Sequence, residues 1–261
     1  MLRVSRVPDT MQPRISILDV AVDDVTEQEA VIAVDGYIRS GEPHQIVTLN
    51  PEFIMSAQKN AHIMHVLNHA SMSTPDGVGI LWAARYLGTP IRERVTGVSL
   101  VERLARESVQ RGWRLFFLGS APGIAERAAQ LLQNRYPGLR IAGTYAGSPK
   151  IADEQHIHTH IQDTQTDILL VAYGHPNQEL WIARNQSKLG IPVAIGVGGT
   201  FDELVGTVKP APEWMHRLGL KWLWRLVIQP ERYKRIFTAV VLFPLAVFYR
   251  QILQRRVRRI L

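Results

Sequence analysis

Gln45-Ile46-Val47-Thr48-Leu49-Asn50-Pro51-Glu52 reads as an apolar strand that runs straight into a helix. Ile, Val and Thr suit a pleated, half-buried strand. Asn50 can cap the helix that follows, and Pro51 fits its first position, where a missing N–H costs nothing. The same succession of strand, short polar loop and helix start recurs on both sides. Upstream, Thr26 and Glu29 stand at capping-box spacing before Ala30, Val31, Val34 and Ile38, giving a helix that stops at Gly41. Residues 15–20 are expected to supply the first strand of the sheet. Downstream, a helix or helix pair reaches Ala70. A short strand at 71–74 then breaks at Pro75-Asp76-Gly77-Val78-Gly79 before another helix through Tyr86. Residues 92–96 connect to a helix over 98–111 closed by Gly112, and 113–118 is a strand entering Gly119-Ser120-Ala121-Pro122-Gly123. Strands near 139–145, 167–173 and 192–197 alternate with helices at 124–135, 153–163 and 176–188. This alternation defines an α/β fold, a Rossmann-like, mostly parallel sheet with helices on both faces. It is complete by Gly206, which divides the chain into a core at 1–206 and a helical, basic C-terminal appendage at 207–261.

With 261 residues, 46% hydrophobic and 20% charged, the chain can bury a substantial core. It has no cysteine, so disulfides and thiolate metal sites are excluded. The first residues, MLRVSRVPDTMQPR, lack the apolar run of a secretory signal, so a cytoplasmic protein is expected.

The net charge of +7 is local. From Arg217 onward eleven Lys and Arg stand against one acid, Glu231. Arg217, Lys221 and Arg225 recur at helical spacing beside Trp214, Trp222 and Trp224, a combination suited to a lipid interface. Residues 236–249 carry no charge and include Pro244. At fourteen residues the segment falls short of the ~20 that a spanning helix needs, so it is expected to lie on a membrane surface. Residues 250–261 add five arginines (250, 255, 256, 258 and 259) among apolar residues, again an interfacial pattern on the side where anionic lipids attract basic tails. The competing reading is a solvated basic face beside a core-packing apolar helix. A nucleic-acid tail fits less well, because so apolar a segment contributes nothing to phosphate contacts.

The polar loops fall where ligands collect in open α/β sheets, at the carboxyl ends of strands. None is a nucleotide fingerprint. Gly119–Gly123 lacks the P-loop lysine, and Gly196-Val197-Gly198-Gly199-Thr200-Phe201 has Phe where a dinucleotide motif needs its last glycine, which weakens a nicotinamide-linked oxidoreductase. No Asp-x-Asp occurs, so the usual carboxylate pair for a divalent metal on a diphosphate is missing. The histidine groups 156, 158, 160 and 62, 65, 69 bring no third-ligand loop and are not assigned to metal.

Taken together, Thr48-Leu49-Asn50-Pro51-Glu52, Pro75-Asp76-Gly77-Val78-Gly79, Glu93-Arg94-Val95-Thr96-Gly97, Gly174-His175-Pro176-Asn177-Gln178-Glu179-Leu180-Trp181, Gly196 through Asp202, and Gly219-Leu220-Lys221-Trp222-Leu223-Trp224-Arg225-Leu226 resemble the WecG/TagA/CpsF family of bacterial glycosyltransferases. The likeness covers roughly residues 17–249, with His175 and the Arg-rich end as departures. It implies an inverting, membrane-associated enzyme with a UDP-sugar donor (N-acetylmannosamine, its uronic acid, glucose or similar). The acceptor it implies is an undecaprenyl-diphosphate-linked saccharide of cell-envelope or exopolysaccharide synthesis. It further implies a catalytic carboxylate at Asp76 and substrate-binding residues Thr48, Asn50, Arg94 and Gln178. An appendage starting near Lys209 would dock on the inner face of the membrane and bring Arg225, Arg232 and Arg235 to the diphosphate. No cofactor, metal or nucleic acid is expected, and an oligomer is compatible with the chain. Each residue also has a plainer reading: a helix cap for Asp76, turn and cap chemistry for Thr48 and Asn50, an ion pair with Glu93 for Arg94, lipid headgroups for the arginines. A non-catalytic membrane or nucleic-acid module is the alternative from another class, and it would not need Asp76.

Overall fold

A computed structural model of the chain describes residues 14–207, 209, 212, 214, 215 and 220–257, with only the backbone for 221 and 254–257. Arg217, Gly219, Arg258 and Arg259 lie outside the described residues, as do the side chains of Lys221, Arg255 and Arg256. The basic stripe expected at 217, 221 and 225 is therefore described only at Arg225.

The chain opens with a correction. Residues 15–20 do not enter the main sheet but form most of an antiparallel hairpin, β1 (Ile15–Ile17) and β2 (Val20–Val22), with Ile15 opposite Val22. Leu18 and Asp19 both adopt positive φ and turn the chain back on itself. Asn68 fastens that turn, its amide donating to the Asp19 carbonyl at 2.8 Å and its oxygen accepting from the Ala21 N–H at 2.8 Å. Strand-like composition is the same in a hairpin and in a sheet strand. The tight turn inside the run decides between them.

Thereafter strands and helices alternate as expected: α1 (Glu27–Ser40), β3 (His44–Leu49), α2 (Pro51–Ala57), α3 (Ala61–His69), β4 (Met72–Pro75), α4 (Val78–Tyr86), α5 (Gly97–Arg111), β5 (Arg114–Gly119), α6 (Ile124–Arg135), β6 (Arg140–Tyr145), α7 (Glu154–Ile161), β7 (Ile168–Ala172), α8 (Asn177–Leu189), β8 (Val193–Gly196) and α9 (Thr200–Leu204). Thr26 and Glu29 make the full capping box of α1, and Gly41 closes it in the left-handed conformation. Six strands form one sheet in the order β4-β3-β8-β7-β5-β6, every neighbouring pair parallel.

Alternate strand residues feed two sides, as the period of two requires. Ile46, Leu115, Phe117, Leu170 and Ile195 pack with α1, α5, α6 and α9, while Val47, Leu49, Phe116, Leu169 and Ala194 face α2, α3, α7 and α8. The helix after β3 and the helix after β8 thus lie on opposite faces, although the two strands are neighbours. A crevice opens at such a switch point, and it is here that ligands of doubly wound sheets bind.

Beyond α9 the appendage comprises α10 (Lys221–Ile228), a 3-10 turn (Pro230–Arg232), α11 (Tyr233–Phe237), a π turn (Thr238–Leu242) and α12 (Phe243–Val257). From Pro230 to Leu253 these form one helical run of 24 residues, long and apolar enough by length and composition to cross a membrane. This revises the count of fourteen, because the helix continues through the charged residues at both ends. The π turn explains how Pro244 sits inside it. A proline ring collides with the carbonyl four residues back, here that of Val240, and widening the preceding turn opens room. The run is moored along the core. Phe243 and Val247 are buried with Phe53, Ile54, Ile80 and Ala83. Arg235 pairs with Glu52 and Arg250 with Asp19.

Candidate active site

The carboxyl end of β3 supplies Thr48 and Asn50. Thr48 Oγ1 donates to the Gly196 carbonyl at 2.8 Å, tying β3 to β8 at the switch point. Asn50 caps α2, its oxygen accepting from the N–H groups of Glu52 (2.9 Å) and Phe53 (3.3 Å). Asn50 thus caps as its plainer reading had it, whereas Thr48 lies in β3 and ties two strands rather than serving a turn or cap, and both line the crevice.

Asp76 follows β4, its N–H donating to the Leu49 carbonyl at 2.8 Å. It does not cap α4 with its side chain; that helix has Gly77 at its N-cap, φ +106°, and no side-chain cap bond. The Asp76 carboxylate instead accepts from the N–H of Gly97, the first residue of α5, at 3.5 Å. Thr96 caps α5 in a box with Ser99, which fixes that helix start beside the carboxylate. In the connector before it, Arg92 is spent on Asp24 and Glu29. Arg94, two residues on, makes no hydrogen bond or ion pair among the described residues, not with Glu93 either, and lines the cavity at Asp76.

Gln178 stands behind the wall rather than on it. The residue is 0% exposed. Its oxygen accepts from Gly174 N–H (3.1 Å) and Gly198 N–H (2.9 Å), and its amide donates to Glu179 at 2.6 Å. One side chain thus holds the loops after β7 and β8 in register. Gly196 is required underneath, since a Cβ there would lie 2.6 Å from the Gln178 amide nitrogen. His175 is anchored in the same layer, 2.9 Å from Glu179, hydrogen-bonded to Ser56 and stacked on Phe53 at 3.8 Å between centroids, and its peptide to Pro176 is cis.

Two cavities meet over these residues. The first, about 290 Å³, is bounded by Thr48, Asn50, Gly174, His175 and the 197–200 loop. The second, about 470 Å³, contains Arg94, Val78, Glu102 and Trp222. Asp76, Thr96, Val98, Glu203 and Arg225 belong to both walls, so the Asp76 carboxylate stands where the two cavities meet. The appendage closes the first cavity with three arginines. Arg225 pairs with Glu203 at 2.9 Å, and Arg235 grips Glu52 through two bonds of 2.6 and 2.9 Å. Arg232 has no side-chain partner among the described residues. Burial foremost, then the neighbouring Arg225 and Arg235, depress its pKa below the ordinary arginine value, an environment that an anion would relieve.

Sequence reasoning missed Glu52 and Glu203 as the counter-charges of these arginines. Both sit in or directly after quoted motifs, but ion pairing across 22 and 183 residues leaves no local signal. The histidine groups serve other ends: His158 bonds Asn185, His160 stacks on Tyr145, and His65 lies over His69. Among the described residues no three His, Cys, Asp or Glu side chains converge in a way that could hold a metal ion.

The switch-point crevice thus sets a carboxylate between two cavities, with three arginines of the appendage over the smaller one. Residues 15–258 match the model of the Glycosyl transferase WecG/TagA/CpsF family. Two similar proteins are an N-acetylglucosaminyldiphosphoundecaprenol N-acetyl-beta-D-mannosaminyltransferase of Bacillus spizizenii, 33% identical over 77% of this chain and 78% of the relative, and one of the same name from Staphylococcus aureus, 28% identical over 85% and 88%. The chain belongs to the WecG/TagA/CpsF family and is a glycosyltransferase.

Proposed function

We propose that the protein transfers N-acetylmannosamine from its UDP derivative to N-acetylglucosamine on a polyprenyl diphosphate, with inversion at the anomeric carbon. The carrying observation is the placement of Asp76 in the shared wall of two cavities, one of them lidded by three arginines. The names of the relatives support both sugars. In this reading the donor lies in the arginine-lidded cavity and the acceptor sugar in the one with Arg94. The acceptor hydroxyl oxygen attacks the anomeric carbon as the bond to the diphosphate oxygen breaks, and Asp76 takes the hydroxyl proton. Charge grows on departing UDP, and Arg225, Arg232 and Arg235 stabilise it. Asp76 lies near the start of α5, whose N-terminal dipole weakens it as a base, so the proton moves late. Thr48 and Asn50 offer polar edges to the donor, and Gln178 acts through the loops it holds.

Residues 207–261 act in this proposal as a peripheral membrane anchor on the cytoplasmic face that also completes the active site. The unburied flank of the 230–253 run, with Phe237, Leu242, Leu245 and Phe248 exposed, is the surface offered to lipid. The test is UDP release from a panel of UDP-sugars with a lipid-diphosphate-linked N-acetylglucosamine, run with and without EDTA. UDP-N-acetylmannosamine is expected to be turned over fastest and chelator to leave the rate unchanged. A faster uronic acid or glucose donor would reassign the donor, and a rate abolished by EDTA and restored by Mg²⁺ would reveal a metal requirement.

A further inference from the structure

The exposed apolar surface does not end with the appendage. On α4, within the core, Val78 and Trp82 are each 43% exposed. Trp82 stacks on Tyr86 one turn along, with centroids 5.5 Å apart and an interplanar angle of 8°, and Tyr86 meets Phe248 of α12 at 6.1 Å. Phe248 and Leu245 are themselves 49% and 59% exposed. A continuous apolar patch therefore crosses from the appendage onto the core, and such patches mark interaction surfaces. Its far end matters most. Val78 is in the wall of the cavity that contains Asp76 and Arg94. Trp82 lies four residues along the helix, about 6 Å at the α-helical rise.

We infer that α4 of the core, through Trp82 and the mouth residue Val78, is part of the surface this protein lays on an anionic lipid leaflet. The inference rests on the membrane docking proposed above and extends it from the appendage to the rim of the catalytic cavity. An indole at a helix surface, apolar over its ring and polar at its N–H, suits the headgroup boundary. Charge selects lipid over a second copy of the chain. Exposed Arg85 lies one turn from Trp82 on α4, and exposed Lys234 and Arg250 belong to the 230–253 run, Arg250 paired with Asp19. A two-fold contact through it would set these cations against their own copies, whereas an anionic leaflet complements them. The consequence is a short path: a diphosphate held at headgroup level reaches Asp76 with its lipid chain still in the bilayer.

The absence of cysteine allows single-site labelling of the full chain. Arg85→Cys, one turn from Trp82, carries an environment-sensitive nitrobenzoxadiazole label, and Gln130→Cys, at an exposed position of α6, is the control. Vesicles of phosphatidylcholine with phosphatidylglycerol are added, and co-sedimentation measures total binding separately. The label at 85 is expected to shift to the blue with the bound fraction while that at 130 does not. Trp82→Ser is expected to weaken vesicle partitioning about tenfold, since such binding scales with buried apolar area, and to leave UDP affinity unchanged. Co-sedimentation with the label at 85 still in water would confine docking to the appendage and overturn the inference. A blue shift that follows protein concentration without vesicles would make the face a contact between copies and overturn it too. Failure to co-sediment at all would remove membrane docking, and this inference with it, while UDP release on a soluble acceptor would still judge the transferase reading independently.

Discussion

At Asp76 the carboxylate leaves the N-cap of α4 to Gly77 and accepts from the first N–H of α5. Asp76→Asn keeps the shape and an oxygen for the Gly97 N–H. Turnover is expected to fall about 10² to 10⁴-fold, the usual range for loss of a general base, with UDP affinity and melting temperature nearly unchanged. Rates from a UDP-release assay check it, and wild-type turnover would end the assignment. Arg232 differs from its two neighbours in lacking a carboxylate partner among the described residues. Arg232→Ala is expected to cost about 2 to 4 kcal/mol in kcat, the scale of one lost oxyanion donor, on membrane-bound and soluble acceptors alike. Binding to anionic vesicles should persist, because Lys234, Arg235 and Arg250 remain exposed.

At the level of elements, the loops after β7 and β8 are held by one buried amide. Gln178→Ala leaves the N–H groups of Gly174 and Gly198 without their acceptor and takes the amide donor from Glu179, which keeps His175. The expected loss is about 1 to 3 kcal/mol, seen as a lower denaturant midpoint, together with slower transfer. A stable variant with normal loops would put Gln178 back among ordinary core residues. Local signals carried much of the fold: the Thr26 box, the Asn50 cap with Pro51, and Gly41 and Gly112 in left-handed closure all stand where the sequence placed them. The hairpin at 15–22 was not legible, because the turn at Leu18 and Asp19 is secured by Asn68, some fifty residues away. The burial of Gln178 was hidden for a like reason. A polar residue in the first turn of a helix reads as exposed until the neighbouring loops are seen to need it. The 24-residue length of the helical run was not legible, because charge rather than backbone continuity marks the ends of the apolar segment in the sequence.

For the whole molecule, the seat of the appendage is a built surface. Cutting the chain after Gly206 is expected to leave a folded α/β core, since the sheet is complete, but one that exposes the seat of Phe243 and Val247. Each buried side chain of this kind contributes about 2 kcal/mol. The truncated core should melt cooperatively at a lower temperature, self-associate, and transfer little sugar even to a soluble acceptor. Full activity there would make the appendage an anchor and nothing more. The charged lining of the smaller cavity has a further consequence. Its three acids, Glu52, Asp76 and Glu203, all belong to the core, and its three bases, Arg225, Arg232 and Arg235, all belong to the appendage. Lifting the appendage would therefore take the lining from about neutral to negative rather than merely opening it. In the proposed function a nucleotide diphosphate would find Arg232 in the closed form and only carboxylates in an open one, so donor binding is expected to depend on the seated appendage. Ionic strength reads this polarity directly: added salt should weaken UDP binding to the intact chain and strengthen it in a variant with all three arginines replaced by alanine, because screening removes attraction in one and repulsion in the other.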